Sequence, residues 1–218
     1  MPENMEYTIF ANGEVNLNSL VLNEPSKVIA ADGGANHCLR LGIRPDVLIG
    51  DLDSIHNDSL ADMEKAGIRV LRHPENKDET DLELAINYAV EHGAARITLY
   101  GILGGRWDMS FANILLLASP KYASIEFQVV HDGLQIFVLR GGQTTTLTGN
   151  PGDLVSVLPF GGAAMGLQYS GLAWSLDNGN LISGSPRGVS NRMMEKEATI
   201  RLGSGTLIVF HNQQETGR

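Results

Sequence analysis

Thirteen glycines stand between Gly141 and Gly205, separated by short alternating segments such as Thr144–Leu147, Leu154–Leu158, Ala198–Leu202 and Thr206–Phe210. Turns that frequent leave no room for helices of ordinary length, so the second half of the chain reads as an antiparallel β-sandwich or barrel. The first 130 residues follow another rhythm. Candidate strands Tyr7–Ala11, Lys27–Ala31, Asp46–Ile49, Ile68–Leu71, Arg96–Tyr100 and Ile125–Val130 are short and rich in β-branched residues. Between the last three lie two helical patterns, Thr80–Glu91 and Trp107–Ala118, the second expected to pack through Phe111, Ile114 and Leu115. Strand, helix, strand in this order argues for a three-layer α/β domain with a largely parallel sheet. The boundary is expected near residues 139–142, giving an α/β domain over 1–140 and a β-sandwich domain over 141–218.

Sixteen Lys and Arg against 25 Asp and Glu give a formal charge of −9, which repels a nucleic-acid backbone unless the basic residues cluster. They do not, and nucleic-acid binding is not expected. The lone Cys38 excludes an intrachain disulfide and a four-cysteine metal site, and fits a reducing cytoplasm. No apolar run approaches the roughly 18 to 20 residues of a membrane span, and the opening MPENMEYTIF lacks the basic stretch of a signal peptide. The polar tail HNQQETGR is expected to fray.

Ten of the 12 aspartates precede residue 133, and several stand where a predicted strand hands over to the next element. Asp32 follows KVIAA, Asp51 and Asp53 follow VLIG, Asp78 and Asp81 open a helix, and Asp108 follows LYGILGGRW. In an open α/β sheet the carboxyl ends of the strands form one rim, where ligands bind. Any one such Asp serves equally as a turn former or a helix cap; the set points to a convergent site. In GDLDS the two carboxylates at i and i+2 on extended chain fall on one side. They ionise together comfortably only near a cation, and oxygen ligands favour Mg²⁺. In NKDETD, Asp78 and Asp81 can share one side of a first helical turn, where acids also complement the helix dipole, and Lys77 can reach a phosphate. Gly104 and Gly105 leave bare backbone between a strand and a helix, a setting that suits an anion, and Arg106 brings a planar fork for phosphate oxygens. Neither a Walker motif nor G-x-G-x-x-G is present, so a nucleotide must be held in another manner. The six histidines lack metal-type spacing.

Taken together and in order, ADGGAN (31–36), GIRPDVLIGDLDSI (42–55), KDETDLELAI (77–86), GGRWDMSFANI (104–114) and RGVSN (187–191) resemble the thiamine pyrophosphokinase family. The resemblance spans both halves of the chain. It implies an α/β domain followed by a β-sandwich, a homodimer with the vitamin between domains of different subunits, and ATP and thiamine as substrates. The implied reaction moves a pyrophosphoryl group from ATP to the hydroxyethyl oxygen of thiamine, giving thiamine diphosphate and AMP. By the same likeness Asp51, Asp53 and Asp81 would hold Mg²⁺, with Asp78 close behind. Asp32, Asn36, Lys77, Thr80 and Arg106 would serve the nucleotide and phosphates. Asp108 would orient the thiamine alcohol or take its proton, and Ser190 and Asn191 would bind thiamine. Trp174 and Trp107 are candidate aromatic walls for its cationic ring.

Three departures from the family pattern stand out. Met109 replaces a histidine usual in bacterial members, Asn76 stands where an acid is common, and Gly188 and Val189 precede Ser190 where animal and fungal members place a tryptophan. Two other classes would use the same acids: a Mg²⁺-dependent phosphohydrolase, releasing phosphate or pyrophosphate without thiamine, and a nucleotide or vitamin sensor that turns over nothing. A full second domain and the Arg-Trp-Asp segment suit a two-substrate transferase better, and clustered acids are costly without a cation.

Overall fold

The computed structural model describes residues 5–16 and 26–214; residues 215–218 of the polar tail lie outside them. The chain divides into two compact units, Met1–Leu117 with Ser124–Asp132, and Ala118–Ala123 with Gly133–Arg218. The division falls between Asp132 and Gly133, ahead of the expected boundary at 140, because Leu134–Arg140 is a strand of the second unit that the sequence reading left out.

The first unit is built on β1 (Met5–Phe10), β2 (Lys27–Ala31), β3 (Val47–Gly50), β4 (Arg69–Arg72), β5 (Ala94–Tyr100) and β6 (Glu126–His131), all parallel, in the order β4-β3-β2-β1-β5-β6. Strands covered on both faces are apolar throughout, and the burial of VIAA in β2 and VLIG in β3 follows from that. Helices α1 (Gly34–Leu41) and α2 (Asn57–Lys65) cover one face over Phe10, Ala30 and Leu48. Helix α3 (Asp81–Glu91) lies along β1, β2, β3 and β5, burying Leu82, Ala85, Ile86 and Ala89. Its start is set by Thr80, whose Oγ1 accepts the Glu83 amide at 3.2 Å, with Asp81 and Glu83 complementing the dipole. Helix α4 is Trp107–Ala118, as expected, but its packing is not. Ser110, Asn113 and Leu117 face inward while Phe111 is 64% exposed.

The second unit is antiparallel, with β7 (Leu134–Arg140), β8 (Thr144–Thr148), β9 (Leu154–Ser170), β10 (Leu176–Leu181), β11 (Asn191–Arg192), β12 (Glu197–Arg201) and β13 (Ser204–Asn212). β9 is far longer than the Leu154–Leu158 segment suggested. Its first part pairs with β13 and β11 in one sheet, and its last part with β10 and β12 in the other. The corner falls at Gly161, whose φ of +69° lies in the left-handed region that side chains disfavour. Between the sheets Val155, Val157, Leu167, Ile200, Leu207 and Val209 are fully or almost fully buried. Asp153 is buried at the start of β9. It accepts the amides of Asn150 (2.8 Å) and Gln214 (2.9 Å) and lies 3.2 Å from His211 Nε2.

Candidate active site

Strands β2, β3 and β4 lie on one side of β1, and β5 and β6 on the other, so the sheet order reverses between β1 and β5. At such a reversal the loops leaving the carboxyl ends diverge and open a crevice. A cleft of about 890 Å³ lies there, lined by Ala11–Glu14 after β1, Asp32, Asp51, Lys77, Thr80, Asp81 and the loop 101–106 after β5. Its floor is backbone. The Gly13 amide donates to Gly101 O at 2.6 Å and that of Glu14 to Leu103 O at 2.7 Å, continuing the β1–β5 pairing beyond the strands.

Asp32 ends β2 with φ +44° and its amide donates to Ile49 O at 2.8 Å. The carboxylate is buried. Ser54 Oγ donates to its Oδ2 at 2.6 Å, while Oδ1 is buried without a partner. β3 ends against it: Gly50 has φ +148°, and a Cβ there would stand 3.1 Å from Asp32 Cβ, so only glycine brings the two strand ends this close. Beyond Gly50 the chain does not stay extended. Leu52 adopts φ +67° with its side chain buried in the core, and this turn presents Asp51 and Asp53 on either side of it. The expectation of an extended D-x-D is thereby corrected, although its consequence survives. One oxygen each of Asp32, Asp51 and Asp53 lie within 4.8 Å of one another. An anionic, all-oxygen set with an orphaned buried oxygen fits a hard divalent cation such as Mg²⁺.

The membership of this cluster differs from the family-based expectation. Asp32, read as a nucleotide ligand, belongs to it, and Asp81 does not. Asp81 lines the same cleft with Lys77 Nζ 2.9 Å from its Oδ1. Burial pushes its carboxyl up, Lys77 offsets this, and the charges of Asp51 and Asp32 push it up again. Asn36 is engaged with the loop, donating to Ser54 O at 3.0 Å. Thr80 faces the cleft, while Asp78 is exposed and is not among the lining residues.

Arg106 lines the cleft, and its fork grips Asp108, with Nε donating to Oδ1 at 3.2 Å and Nη2 to Oδ2. Both groups are exposed. Arg106, with help from the Met109 amide, holds the Asp108 carboxyl below its ordinary range, which makes it a poor proton acceptor. Two residues that sequence reasoning passed over fix the glycine loop. Ser110 Oγ accepts the Gly104 amide at 3.1 Å, and Asn113 Nδ2 donates to Ile102 O at 2.8 Å. Their signal was available: polar residues at i and i+3 within an apolar helix, just after a Gly-Gly pair.

In the second unit a cavity of about 350 Å³ is lined by Tyr169, Leu172, Trp174, Arg187, Val189 and Asn191 among others. Trp174 is 62% exposed. Ser190 is exposed with φ +63° and its amide donates to Ser156 Oγ at 3.0 Å. Asn191 is buried, and its side chain is bonded to the backbone of Trp174.

Comparison with known proteins agrees with both halves. Residues 19–129 match the family model described as thiamin pyrophosphokinase, catalytic domain, and residues 144–207 that of its vitamin B1 binding domain. The thiamine pyrophosphokinase of Bacillus subtilis (strain 168) is 29% identical over 184 residues, covering 84% of this chain and 86% of that protein. Thiamine pyrophosphokinase 1 of Oryza sativa subsp. japonica is 26% identical over 206 residues, covering 84% and 76%. Among solved structures, the Bacillus subtilis thiamine pyrophosphokinase superposes with a TM-score of 0.84 at 27% identity, covering 96% of this chain and 99% of the other. The thiamin pyrophosphokinase of Geobacillus thermodenitrificans gives 0.83 at 27% identity, covering 97% and 99%.

Proposed function

Because the chain belongs to the thiamin pyrophosphokinase family, we propose that the cleft at the β1–β5 reversal is where it holds ATP for transfer to thiamine. The enzyme transfers a pyrophosphoryl group from ATP to thiamine. The hydroxyethyl oxygen forms a bond to the β-phosphorus, the bond from that phosphorus to the α-phosphate oxygen breaks, the alcohol loses its proton, and AMP departs. Protein groups contribute to such transfers mainly by positioning and by stabilising charge.

The observation that carries this reading is the meeting of Asp32 and Asp51, which line the nucleotide-sized cleft, with Asp53 beside them. These three would hold Mg²⁺, which when bound neutralises charge on the phosphate chain. Lys77 and Arg106, which both line the cleft, bind phosphate oxygens. Thr80 and Asn36 keep the start of α3 and the Asp53–Ser54 loop in register, and Asp81 orients Lys77 through their ion pair. Asp78 stands just outside. Arg106 has two competing partners, Asp108 and the substrate phosphates. When the phosphates take the guanidinium, Asp108 is released to accept the hydrogen bond of the thiamine alcohol. Freed of the guanidinium that held it low, that carboxylate orients the alcohol or takes its proton as the bond to phosphorus forms.

Trp174 supplies an aromatic wall for the cationic vitamin, with Ser190 beside it. A homodimer accounts for the outer face of α4, where Trp107 is 85% and Phe111 64% exposed, four residues apart on one side of the helix. The lone buried Cys38 suits the cytoplasm, and among the described residues no helix is long and apolar enough to cross a membrane. Purified protein given ATP, thiamine and Mg²⁺ will form AMP and thiamine diphosphate in equal amounts, and neither when EDTA is added. Formation of ADP, or release of AMP without thiamine, refutes the reading. Light scattering that finds only monomer at assay concentrations removes the dimer.

A further inference from the structure

Asn191 lies beside the proposed vitamin wall, yet its side chain is spent on the protein itself. We infer that Asn191 is a positioning residue that fixes Trp174 against the thiamine ring, an inference that rests on the role given to Trp174 above. The segment 171–173 is held by ordinary backbone pairing. The Met194 amide donates to Gly171 O at 2.9 Å, that of Ala173 to Arg192 O at 2.8 Å, and Leu172 bridges Met193. At Trp174 this pairing passes to a side chain. The Trp174 amide donates to Asn191 Oδ1 at 3.0 Å, and Asn191 Nδ2 donates to Trp174 O at 2.8 Å.

Bonds to both the N–H and the C=O of one residue reproduce what a neighbouring antiparallel strand would give. Asn191 Oδ1 also accepts the Arg192 amide at 2.9 Å, so both of its lone pairs are engaged. The donor residue is itself fixed. Asn191 is buried, pairs with Val155 of β9, and follows Ser190, whose left-handed φ of +63° turns the chain into that pairing. An indole that is 62% exposed is thereby carried on a backbone tied at both its amide and its carbonyl. Ordering a loop and an aromatic side chain costs binding free energy, and a wall fixed in advance avoids that cost. Asparagine alone fits this place: aspartate sets an oxygen against Trp174 O, serine is too short, and glutamine is a methylene too long.

The test uses the full-length enzyme with Trp107→Phe, which leaves Trp174 as the only indole. In that background Asn191→Asp is expected to raise KM for thiamine about tenfold, the loss of one buried hydrogen bond. KM for ATP should stay within twofold, and thiamine quenching of Trp174 emission should shift to correspondingly higher concentration. An unchanged KM for thiamine overturns the inference. So does an equal rise in both KM values with a lowered melting temperature, the signature of a merely structural residue. Trp174→Ala separates the two ideas. If it leaves KM for thiamine unchanged, the wall itself is misplaced; if it raises KM while Asn191→Asp does not, only the positioning role falls. Should Asn191→Asp fail to fold, hydrogen exchange in the parent protein decides: a Trp174 amide as protected as that of Ala173 supports the clamp, and one exchanging at the rate of a free loop overturns it.

Discussion

Neutralising Asp53 should make the protein more stable and inactive at once. Asn retains the carbonyl oxygen that lies 3.1 Å from Ser54 Oγ, so Asp53→Asn removes charge and little else. Two unit charges no more than 4.8 Å apart repel by at least about 0.9 kcal/mol in water-like surroundings, and the substitution removes two of the three such pairs, at least about 1.7 kcal/mol. Screening at ordinary ionic strength trims this to about 1 kcal/mol, a rise in melting temperature of about 4 °C for the first unit. The assay is thermal unfolding in EDTA at low and high salt, followed by unfolding with Mg²⁺. In EDTA the variant should melt above the parent, and by less at high salt. With Mg²⁺ the parent should gain stability by ligand linkage while the variant gains little, and AMP formation by the variant should be lost. A variant that melts below its parent in EDTA, or that gains as much from Mg²⁺, refutes the idea that these acids repel one another around a cation site.

Two further outcomes follow from the geometry. Gly50→Ala should cost about 1–3 kcal/mol through its unfavourable backbone angle and should cut AMP formation, since the added Cβ pushes on Asp32; normal turnover would show that Asp32 needs no fixed place. Burial raises the Asp153 carboxyl, but the amides of Asn150 and Gln214 and the His211 ring outweigh it and hold it below the ordinary range. Its stabilising effect is therefore complete above the unfolded carboxyl value of about 3.9 and is lost as pH falls through the lower folded value. Urea midpoints should decline below about pH 4 in the parent and less steeply in Asp153→Asn; parallel curves would remove Asp153 from that role.

The parallel half was legible because its strands are short apolar runs between turn residues, and α3 because Thr80 and its acids mark a helix start. α1 and α2 were missed for a physical reason. They span only 8 and 9 residues, too few for periodicity to separate from loop. In α4 apolar character does not mark the core face: Phe111 is exposed, whereas Ser110 and Asn113 turn inward to satisfy the carbonyl and amide groups of the glycine loop. At the candidate site, the sequence placed Asp51 and Asp53 together, while the approach of Asp32 to them was not readable from spacing. That approach depends on β2 and β3 being neighbours in the sheet. The clamp of Asn191 on Trp174 joins positions that only the folding of β11 onto β9 brings together.

A single strand, β9, belongs to both sheets of the second unit, and this decides where the chain can be reopened. New termini placed between Leu154 and Ser170 would sever two ladders at one stroke, so circular permutants cut there should fail to assemble. Cuts at Gly142 or Gly184, where even an added Cβ meets nothing within 4 Å, leave every ladder whole. Those two turns are the natural sites for inserting a reporter or dividing the protein into complementing fragments.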